Sequence, residues 1–589
     1  MWTTIPFLLA VAAATPALAG PNCPPLGPVF EKTYNFKTSS AMQAAIANLT
    51  ATFTAWDQID GPGVRANTTS YSIEVFSTSK ENPIIFDWHH TAASLAAATN
   101  TSGVSKTDAN AVYRLGSLTK VFTVYTWLAQ DGDSKWNEPI TKYVPELAEA
   151  AQRAKADPVS NVPWDEVTIG ALAGQMSGAI RDYGLMSEVT QEFNQSQAVG
   201  LGFPPLNSSD PMLPQCGEWP QCNRTEFFKG LLRAPPSFAP FTTPAYTNTG
   251  YQILAYALES IKGKSFKAMM EESILRPLGL NHTYYQDPPA EEGIIPGVRS
   301  ESGWNYQLGD ENPAGNMYSS IADISELGRS IMRSSLLPPV VTRRWLKPAS
   351  LSSELIAGVG YPWGIRRVVV PYANGKRVVD AFNKAGRIGY YASLLVLLPD
   401  YDAGFSVLIA GDDIPGNTNF NLADILGAQL VPALEAAARE QAEAKFAGEY
   451  VDADAARNSS LRLTTQPDRP GLGVENWVSN GTDMQTVAVV MQGGYAPVAP
   501  SIRLYPAGLE TVLPDGGGKR VSFKAVFEDL NLPAKTGTMF STDCGTWVSF
   551  TGVTYGTSPL DQFVFEVDAE GAVRSIESPA LRSVMERKR

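Results

Sequence analysis

Histidine and cysteine are scarce in this chain of 589 residues, which contains three of the first and four of the second. A metal centre needs several such residues at short, regular spacing, and the sequence offers no cluster of that kind. Basic residues are also outnumbered, 46 against 59 acidic ones, for a formal net charge of −13. Proteins that bind nucleic acids or anionic membranes usually have a positively charged surface, and this excess of acidic residues predicts none. Because no glycine-rich loop follows a strand as a phosphate site would require, no cofactor is expected either.

The apolar run at the amino terminus is too short to span a bilayer. It lies within MWTTIPFLLAVAAATPALAG, ends at Pro16 and is followed by the small-residue pattern ALA at 17–19. A membrane anchor is the alternative interpretation, but the loop-like GPNCPPLGP comes directly after the run. The combination predicts a signal peptide over residues 1–19, a mature chain from Gly20, and secretion without a membrane anchor.

Acceptors for N-glycosylation of the form Asn-x-Ser/Thr are, by contrast, numerous. A single acceptor means little, but nine of them behind a signal peptide fit a secretory protein whose acceptor asparagines lie on the surface. They are Asn48, Asn67, Asn100, Asn194, Asn207, Asn223, Asn281, Asn458 and Asn480.

The four cysteines form an even set, which in an oxidising compartment favours disulfides with three alternative pairings. Cys216 and Cys222 flank the short loop GEWPQ, so we expect them to close it. Cys23 would then pair with Cys544 and join the start of the mature chain to its C-terminal part. Zinc is the competing partner, but two isolated cysteines and two in one loop lack the spacing of zinc ligands.

Apolar periodicity divides the chain into two parts. From about residue 71 onward, strand-like runs alternate with helical ones and include a hairpin signal at Asn374-Gly375. Residues 184–240 are rich in Pro, Asn and Ser and predict an ordered, lid-like excursion. We therefore predict an α/β (α+β) domain over residues 20–445, with an antiparallel sheet flanked by helices, and a β-rich domain over 446–589. Candidate strands of the second domain are AVVMQGG, SFKAVFEDL, WVSFTGVTY and QFVFEV.

Ser117 and Lys120 are one turn apart on the same face of a predicted helix, SLTKVFTVYTWLAQ. A serine hydroxyl is unreactive at neutral pH and needs a base, which a lysine provides when burial and nearby positive charge lower its pKa. The positive end of the helix would also favour a developing oxyanion. The spacing alone is weak evidence of a site, since Ser77 and Lys80 share it in a turn where their side chains need not meet.

A second polar group, Tyr-Thr-Asn at 246–248, opens a loop just before the predicted helix GYQILAYAL. A phenol beside a cationic lysine exchanges protons with a serine or with a leaving group. The similar Tyr-Ala-Asn at 372–374 falls on the predicted hairpin turn, where a structural role accounts for each residue. Tyr246 and Asn248 are therefore the candidates.

The order and surroundings of these motifs resemble the serine β-lactamase and penicillin-binding-protein superfamily. The likeness is to its class C β-lactamase and esterase branch, including secreted fungal members with a C-terminal β domain, and covers roughly residues 40–445. The resemblance implies that Ser117 is acylated and that Lys120 and Tyr246 share the acid and base work. Asn248 would orient Lys120 and the substrate. The likeness is carried by YRLGSLTKVFT, VTIGALAGQMSG, AYTNTGYQILAYALESIKGKSF, LRPLGLNHTYY and MYSSIADISELGRSIM.

The family's third element is a strand motif, Lys-Thr-Gly or His-x-Gly, that lines the cleft. Lys-Ala-Gly at 384–386 matches it imperfectly, whereas Lys-Thr-Gly at 535–537 matches every letter. We choose Lys384, because it stands in a β run directly ahead of two apolar strands and the closing helix, as the family fold requires. The resemblance then implies an oxyanion hole made by the backbone N–H groups of Ser117 and Arg387.

Two departures from the family pattern bear on the substrate. Ala385 lacks the hydroxyl that helps to hold the carboxylate of a β-lactam or of a D-Ala-D-Ala peptide, and Gln175 stands where esterase relatives often have His. By the resemblance, Gly386 and Arg387 line the substrate site, and Arg387 would be able to contact a carboxylate. We expect esterase or transesterase activity on a small-molecule or peptide-like ester or amide, with a β-lactamase or D-residue-specific peptidase as the alternative.

A Ser-His-Asp triad would need a histidine beside Ser117. The three histidines are interpreted as structural, because they lie on a predicted strand or in a glycosylation turn: His89, His90 and His282. Asp182 and Asp323 are interpreted as turn or cap residues. An inactive binding protein on the same fold is the remaining alternative, and acylation by a fluorophosphonate would distinguish it from an enzyme. Nothing in the sequence indicates the oligomeric state.

Overall fold

A computed structural model of the chain describes residues 23–32, 35–98, 103–185, 188–217, 220–372, 375–531 and 544–588. Four features predicted from the sequence lie outside the described residues. They are the signal peptide 1–19, the acceptor Asn100, the turn residue Asn374, and the Lys-Thr-Gly motif at 535–537. None of the helices in the described part of the chain combines the length and the apolarity that crossing a bilayer requires.

Eight of the first eleven strands, β1 to β11, form the first sheet, and the other three, β3, β4 and β5, form a small separate sheet. The order of the first sheet is β2-β1-β11-β10-β9-β8-β7-β6, and each pair is antiparallel. The strands are β1 (Thr69–Ser77), β2 (Ile84–His90), β3 (Val112–Arg114), β4 (Thr283–Tyr284), β5 (Tyr318–Ser320), β6 (Ser350–Leu351), β7 (Ala357–Val359), β8 (Gly364–Tyr372), β9 (Gly375–Ile388), β10 (Tyr391–Leu398) and β11 (Ala403–Gly411).

Helices cover both faces of this sheet. They are α1 (Ser40–Trp56), α2 (Ala93–Ala96), α3 (Thr119–Asp131), α4 (Glu146–Ala154), α5 (Ile169–Ala173), α6 (Val189–Glu192), α7 (Gln195–Gly200), α8 (Arg224–Leu231), α9 (Thr249–Lys262), α10 (Phe266–Met270), α11 (Arg276–Leu278), α12 (Asn312–Gly315), α13 (Ile321–Met332), α14 (Pro339–Trp345) and α15 (Thr418–Phe446).

Strands β10 and β11 explain why the sheet is covered on both sides. Every residue of the two strands is buried, and their sequences, YASLLVLL and AGFSVLIAG, are apolar with little alternation. Leu394 and Val396 pack with α1 and the first part of α15 on one face, which we call the back face. Leu395 and Leu397 pack with the other helices on the opposite, front face. A strand with two covered faces needs no polar side, so its sequence reads as a continuous apolar run.

A second sheet follows α15 directly. Its order is β13-β12-β22-β21-β20-β17-β16-β14-β15, and β13 also pairs with β14, which closes the sheet into an antiparallel barrel. Its elements, with the short hairpin β18–β19 outside it, are β12 (Gly448–Asp452), β13 (Ser460–Gln466), β14 (Arg469–Ser479), β15 (Thr482–Asp483), α16 (Met484–Gly493), β16 (Pro500–Val512), β17 (Gly518–Asp529), α17 (Thr546–Ser549), β18 (Thr554–Tyr555), β19 (Ser558–Pro559), β20 (Gln562–Asp568), β21 (Val573–Ser578) and β22 (Ser583–Arg587).

Aromatic side chains pack together in the core of the barrel. Phe446, at the end of α15, packs edge-on against Phe523 at 5.3 Å and Phe565 at 4.9 Å between ring centroids. Trp477 packs against Phe563 at 5.2 Å. The long helix α15 therefore belongs to two cores, with its early part on the back face of the first sheet and its end in the barrel.

Two of the predicted strands of the second part are wrong. AVVMQGG lies in helix α16, which begins where the Asp483 side chain accepts a hydrogen bond from Gln485 N and ends at the left-handed Gly494. These are ordinary helix start and stop signals, and they outweigh the β propensity of the short apolar run. WVSFTGVTY contains only the short helix α17 and the two-residue strand β18. SFKAVFEDL and QFVFEV are strands, β17 and β20.

Both predicted disulfides are present. Cys216 and Cys222 are bonded and close a tight loop, with 5.0 Å between their Cα atoms. Cys23 and Cys544, separated by 521 residues, are bonded with 5.7 Å between their Cα atoms. The second bond ties the start of the described chain to the barrel part. Within the described residues of the excursion at 184–240 there are three short helices, α6, α7 and α8.

Candidate active site

Ser117 lies in a single turn of 3₁₀ helix, Gly116–Leu118, that leads directly into α3. Thr119 fixes this turn, because its hydroxyl donates to Gly116 O at 2.7 Å and accepts from Met317 N at 3.1 Å. One turn later Lys120 points back along the helix and places its Nζ 3.1 Å from Ser117 Oγ. The serine is half-buried, whereas the lysine is completely buried. The helical spacing read from the sequence therefore brings the two groups into contact.

Strand β9 passes against the turn Gly116–Leu118, called the nucleophile turn after the predicted role of Ser117. Gly116 has a φ of 55°, and a Cβ added there would lie 2.5 Å from Arg387 N. A Cβ at Gly386 would collide with the carbonyl of Leu115. Ser393, paired with Gly386 across the sheet, donates to Leu115 O at 2.6 Å. The two glycines permit this close approach, which brings the backbone of Arg387 beside that of Ser117.

Three acceptors surround the ammonium of Lys120. In addition to Ser117 Oγ, its Nζ donates to Asn248 Oδ1 at 2.5 Å and to Ala314 O at 2.6 Å. Burial is the main cause that lowers the pKa of Lys120, from 10.5 to about 7, and Arg181 adds to the shift. Glu311 and Asp182 oppose it. At neutral pH a substantial fraction of this lysine is therefore uncharged and able to accept a proton.

Tyr246 completes the group around the serine. Its phenol donates to Ser117 Oγ at 2.6 Å. Three cations lie over its ring, with Lys120 Nζ at 5.0 Å, Lys384 Nζ at 5.6 Å and Arg181 Cζ at 5.0 Å from the ring centroid. This positive surrounding stabilises negative charge that develops on the phenol oxygen during a proton transfer.

Gln175 holds the loop that carries Tyr246. Its Oε1 accepts from Thr247 N at 2.6 Å, its Nε2 donates to Thr247 O at 3.4 Å, and its own carbonyl accepts from Ala245 N at 2.9 Å. Gln175 is buried and adopts a φ of 61°, a left-handed conformation that costs energy for a residue with a side chain. The position where esterase relatives often have His is therefore occupied here by a residue that braces the Tyr246 loop.

Asn248 links the lysine to a residue that the sequence analysis had interpreted as a turn residue. Its Oδ1 accepts from Lys120, and its Nδ2 donates to Asp182 Oδ1 at 2.7 Å. Asp182 in turn contacts the carboxyl group of Glu311, which the sequence analysis had not considered. No spacing rule connects these acids to Ser117, because they reach the site from separate loops. Asp323, by contrast, does take a structural role: it accepts from His282 N and Thr283 Oγ1.

Lys384 lies on the front face of β9, opposite Leu395. Burial is the main cause that lowers its pKa from 10.5 to about 8, Tyr246 opposes the shift, and Lys120 adds to it. Its Nζ donates to Ala385 O at 2.6 Å and lies over the Tyr246 ring. The guanidinium of Arg387 is directed away, since two of its nitrogens donate to the carbonyls of Ile414 and Pro415.

The three histidines form their hydrogen bonds with groups other than Ser117. His89 bonds to Ser72 Oγ, His90 to Asp57 and to Ala66 O, and His282 to Glu292. Over the described residues, no group of three or more His, Cys, Asp or Glu side chains is placed to hold a metal ion. The polar chemistry beside Ser117 thus comes from lysine, tyrosine and amide groups.

A family model described as "Beta-lactamase" matches residues 87–430, more than half of the chain. The chain belongs to the β-lactamase family. The superfamily resemblance read from the sequence is thereby confirmed. A second family model, described as "Beta-lactamase-like-like, C-terminal domain", matches residues 438–589.

Relatives of this β-lactamase-family chain include two proteins that are matched over most of their own length. A "Beta-lactamase-like protein" of Arthroderma benhamiae is 27% identical over 99% of this chain and 98% of its own length. A "Probable hydrolase M10" of Phoma sp. is 26% identical over 87% of this chain and 83% of its own. Among solved structures, "A class C beta-lactamase" covers 67% of this chain and 97% of its own, at 16% identity and a TM-score of 0.45.

Proposed function

We propose that this protein is a serine hydrolase that forms an acyl-enzyme on Ser117 with ester or amide substrates. The observation that carries the proposal is that Ser117 Oγ lies 2.6 Å from the phenol of Tyr246 and 3.1 Å from the amine of Lys120. A nucleophilic serine needs a neighbouring group that takes its proton and needs access to the substrate. Ser117 contacts two such groups and is only half-buried.

In the first step Ser117 Oγ attacks the carbonyl carbon, and its proton passes to Lys120 or Tyr246. The negative charge that forms on the carbonyl oxygen is held by the backbone N–H groups of Ser117 and Arg387. The same proton then goes to the leaving group, which departs as an alcohol or amine. Water, or a second alcohol or amine, attacks the acyl-enzyme by the reverse sequence and regenerates Ser117.

We propose esters, and transfer between alcohols, as the preferred chemistry. Ala385 has no hydroxyl and packs against the back-face core, so it offers nothing to a substrate carboxylate. The Arg387 guanidinium is engaged by two backbone carbonyls. Turnover of β-lactams or D-residue peptides is the second candidate, and the observation that favours it is the ammonium of Lys384 in the cleft, which would attract a carboxylate.

We also propose that residues 184–240 form a lid that shapes the substrate side of the cleft. The excursion returns to the site at Phe241, whose N–H donates to Met176 O at 2.8 Å, next to the bracing Gln175. Phe238 and Phe241 expose about half of their surface there, 49% and 54%. Exposed aromatic rings beside a cleft favour an acyl or alcohol group with apolar surface.

Secretion with N-linked glycans is part of the proposal, with residues 20–445 as the catalytic domain and 446–589 as a second domain. Each acceptor asparagine that the structure describes is exposed, as glycan attachment requires. These are Asn48, Asn67, Asn194, Asn207, Asn223, Asn281, Asn458 and Asn480. The two disulfides fit the oxidising compartment through which such a protein would pass.

The test is intact-mass spectrometry of the secreted, deglycosylated protein after exposure to a fluorophosphonate, a p-nitrophenyl ester and a penicillin. We expect a mass gain with the fluorophosphonate and the ester that is absent in Ser117→Ala, which should unfold at the same urea concentration as the wild type. Faster turnover of nitrocefin than of p-nitrophenyl esters would instead select the second candidate. Undiminished labelling of Ser117→Ala would contradict the assignment of Ser117 as the nucleophile. No labelling of the wild type would favour an inactive binding protein.

A further inference from the structure

Two acidic side chains lie behind Lys120 and take no part in the proposed cycle. Asn248 accepts from Lys120 Nζ at 2.5 Å and donates to Asp182 Oδ1 at 2.7 Å. The carboxyl group of Glu311 is in contact with that of Asp182. Hydrogen bonds therefore lead from Ser117 through the lysine and the amide to Asp182, the first of two neighbouring carboxyl groups.

The pair is buried, with 6% of the Asp182 side chain and 3% of Glu311 exposed. Two ionised carboxylates repel each other, and neither can donate a hydrogen bond, so the contact between them requires one proton. Asp182 already has two donors, the amide of Asn248 and the guanidinium of Arg181, whose Nε is 3.3 Å away. Glu311 Oε1 has no hydrogen-bond partner among the described residues. The proton therefore belongs on Glu311.

The electrostatic surroundings agree with this placement. Burial raises the pKa of Glu311 well above its ordinary value, Asp182 raises it further, and Lys120 opposes the shift. Glu311 also borders a cavity of about 20 Å³ under the Cys216–Cys222 loop, lined there by Gly217 and Gln221. The charged and titratable groups around Lys120 are Arg181, Tyr246, Tyr251 and Lys384. Asp310 borders the same cavity as Glu311 and accepts a hydrogen bond from Tyr256.

We propose that Glu311 is a protonated positioning residue, whose O–H donates to Asp182 and so holds the amide of Asn248 and, through it, the Nζ of Lys120. This inference rests on the proposed function and adds a residue to it. With the proton in place the pair carries one negative charge instead of two. A second negative charge behind Lys120 would stabilise its ammonium and leave less of the neutral base at neutral pH.

The test compares Glu311→Gln with Glu311→Leu in acylation by p-nitrophenyl acetate across pH. A carboxamide is neutral and still donates to Asp182, so Glu311→Gln should keep the rate within about threefold and leave the acid limb unmoved. Leucine removes the donor and should lower the rate about tenfold to a hundredfold, the range that one hydrogen bond to a charged group represents. If Glu311 were ionised, Glu311→Gln would remove a negative charge near Lys120 and move the acid limb to lower pH, which would overturn the proposal.

An infrared difference spectrum between wild type and Glu311→Gln at pH 7 gives a readout that needs no activity. We expect the variant to lose the carbonyl band of a protonated carboxylic acid; loss of carboxylate bands would overturn the proposal. Glu74→Gln is the matched control. Glu74 is equally buried in β1, so this variant removes a buried carboxyl group outside the site and should leave acylation unchanged. If the wild type took no fluorophosphonate label, the proposed function would fail while the infrared result still decided where the proton is.

Discussion

The phenol of Tyr246 donates a hydrogen bond of 2.6 Å to the hydroxyl oxygen of Ser117, from a loop far from the serine in the sequence. If the phenol relays the serine proton, Tyr246→Phe should slow acylation about 10²- to 10⁴-fold, the usual share of a positioned acid or base. The urea midpoint should change little, since only one hydroxyl is lost. Stopped-flow measurement with p-nitrophenyl acetate checks the rate. Tyr143→Phe removes a phenol on the α4 side of the fold and should have no effect on it.

The titration of Lys120 sets the expected pH dependence. Its lowered pKa, about 7, means that the neutral base predominates above that pH and is lost below it. The acylation rate should therefore rise with pH, tenfold per unit, and level off above about pH 7. At pH 5 roughly 1% of the lysine would be neutral. A profile of kcat/KM for an uncharged ester between pH 4.5 and 9 checks this, and an acid limb near the ordinary lysine value would contradict the role of Lys120.

Two substitutions at Gln175 separate the effect of its side-chain hydrogen bonds from the effect of its strained backbone conformation. Both Gln175→Ala and Gln175→Gly remove the side-chain bonds to Thr247, so both should slow acylation by releasing the Tyr246 loop. Glycine, however, accepts the φ of 61° without penalty, whereas alanine does not. We expect Gln175→Ala to lose about 1–3 kcal/mol of unfolding free energy, and Gln175→Gly to lose roughly 1 kcal/mol less. Urea unfolding of both variants makes the comparison. Equal losses would show that strain at this position is unimportant.

The sequence predicts those residues of the site that local structure brings together, and it predicts less well those that only the fold brings together. Ser117 and Lys120 are predictable because the helix period alone brings them to 3.1 Å. Tyr246 and Asn248 need the family likeness, since only the fold brings their loop to the serine. Glu311 carries no motif, and its role depends on burial and on contact with Asp182, which no local pattern encodes.

The fold shows the same difference between local and long-range structure. The first sheet is predictable from apolar runs such as β10 and β11, whose length and flanking turns are unambiguous. AVVMQGG was mistaken for a strand because a short apolar run suits either structure. The signals that settle it are the cap at Asp483, which precedes the run, and the left-handed Gly494, which is its last residue. The barrel also depends on pairing at long range, since Tyr450 of β12 lies opposite Arg587 of β22.

Gly116 should be sensitive to any side chain. A Cβ there would lie 2.5 Å from Arg387 N, so Gly116→Ala must push β9 away from the nucleophile turn. Loss of one oxyanion donor slows acylation about 10²- to 10³-fold, and we expect an effect of that size. Gly132→Ala is the matched control, because Gly132 also has a positive φ, of 68°, but has nothing within 4 Å of the added Cβ. Both variants should lose stability because of the backbone conformation, and only the first should lose activity.

Lys384 and Lys535 are the two candidates for the lysine of the third motif, and they lead to opposite expectations for their alanine variants. Lys384 is buried, lies 5.6 Å from the centroid of the Tyr246 ring, and sits on the strand that contacts the nucleophile turn. Lys384→Ala removes a positive charge beside the group that handles the proton, so we expect acylation to fall about tenfold to a hundredfold, as for a lost charge-assisted contact. Lys535 lies outside the described residues, and Lys535→Ala should leave the rate as in the wild type. Fluorophosphonate labelling rates of the two variants decide between the motifs. A loss confined to Lys535→Ala would place the family's third element in the C-terminal part of the chain and require a different strand beside Ser117.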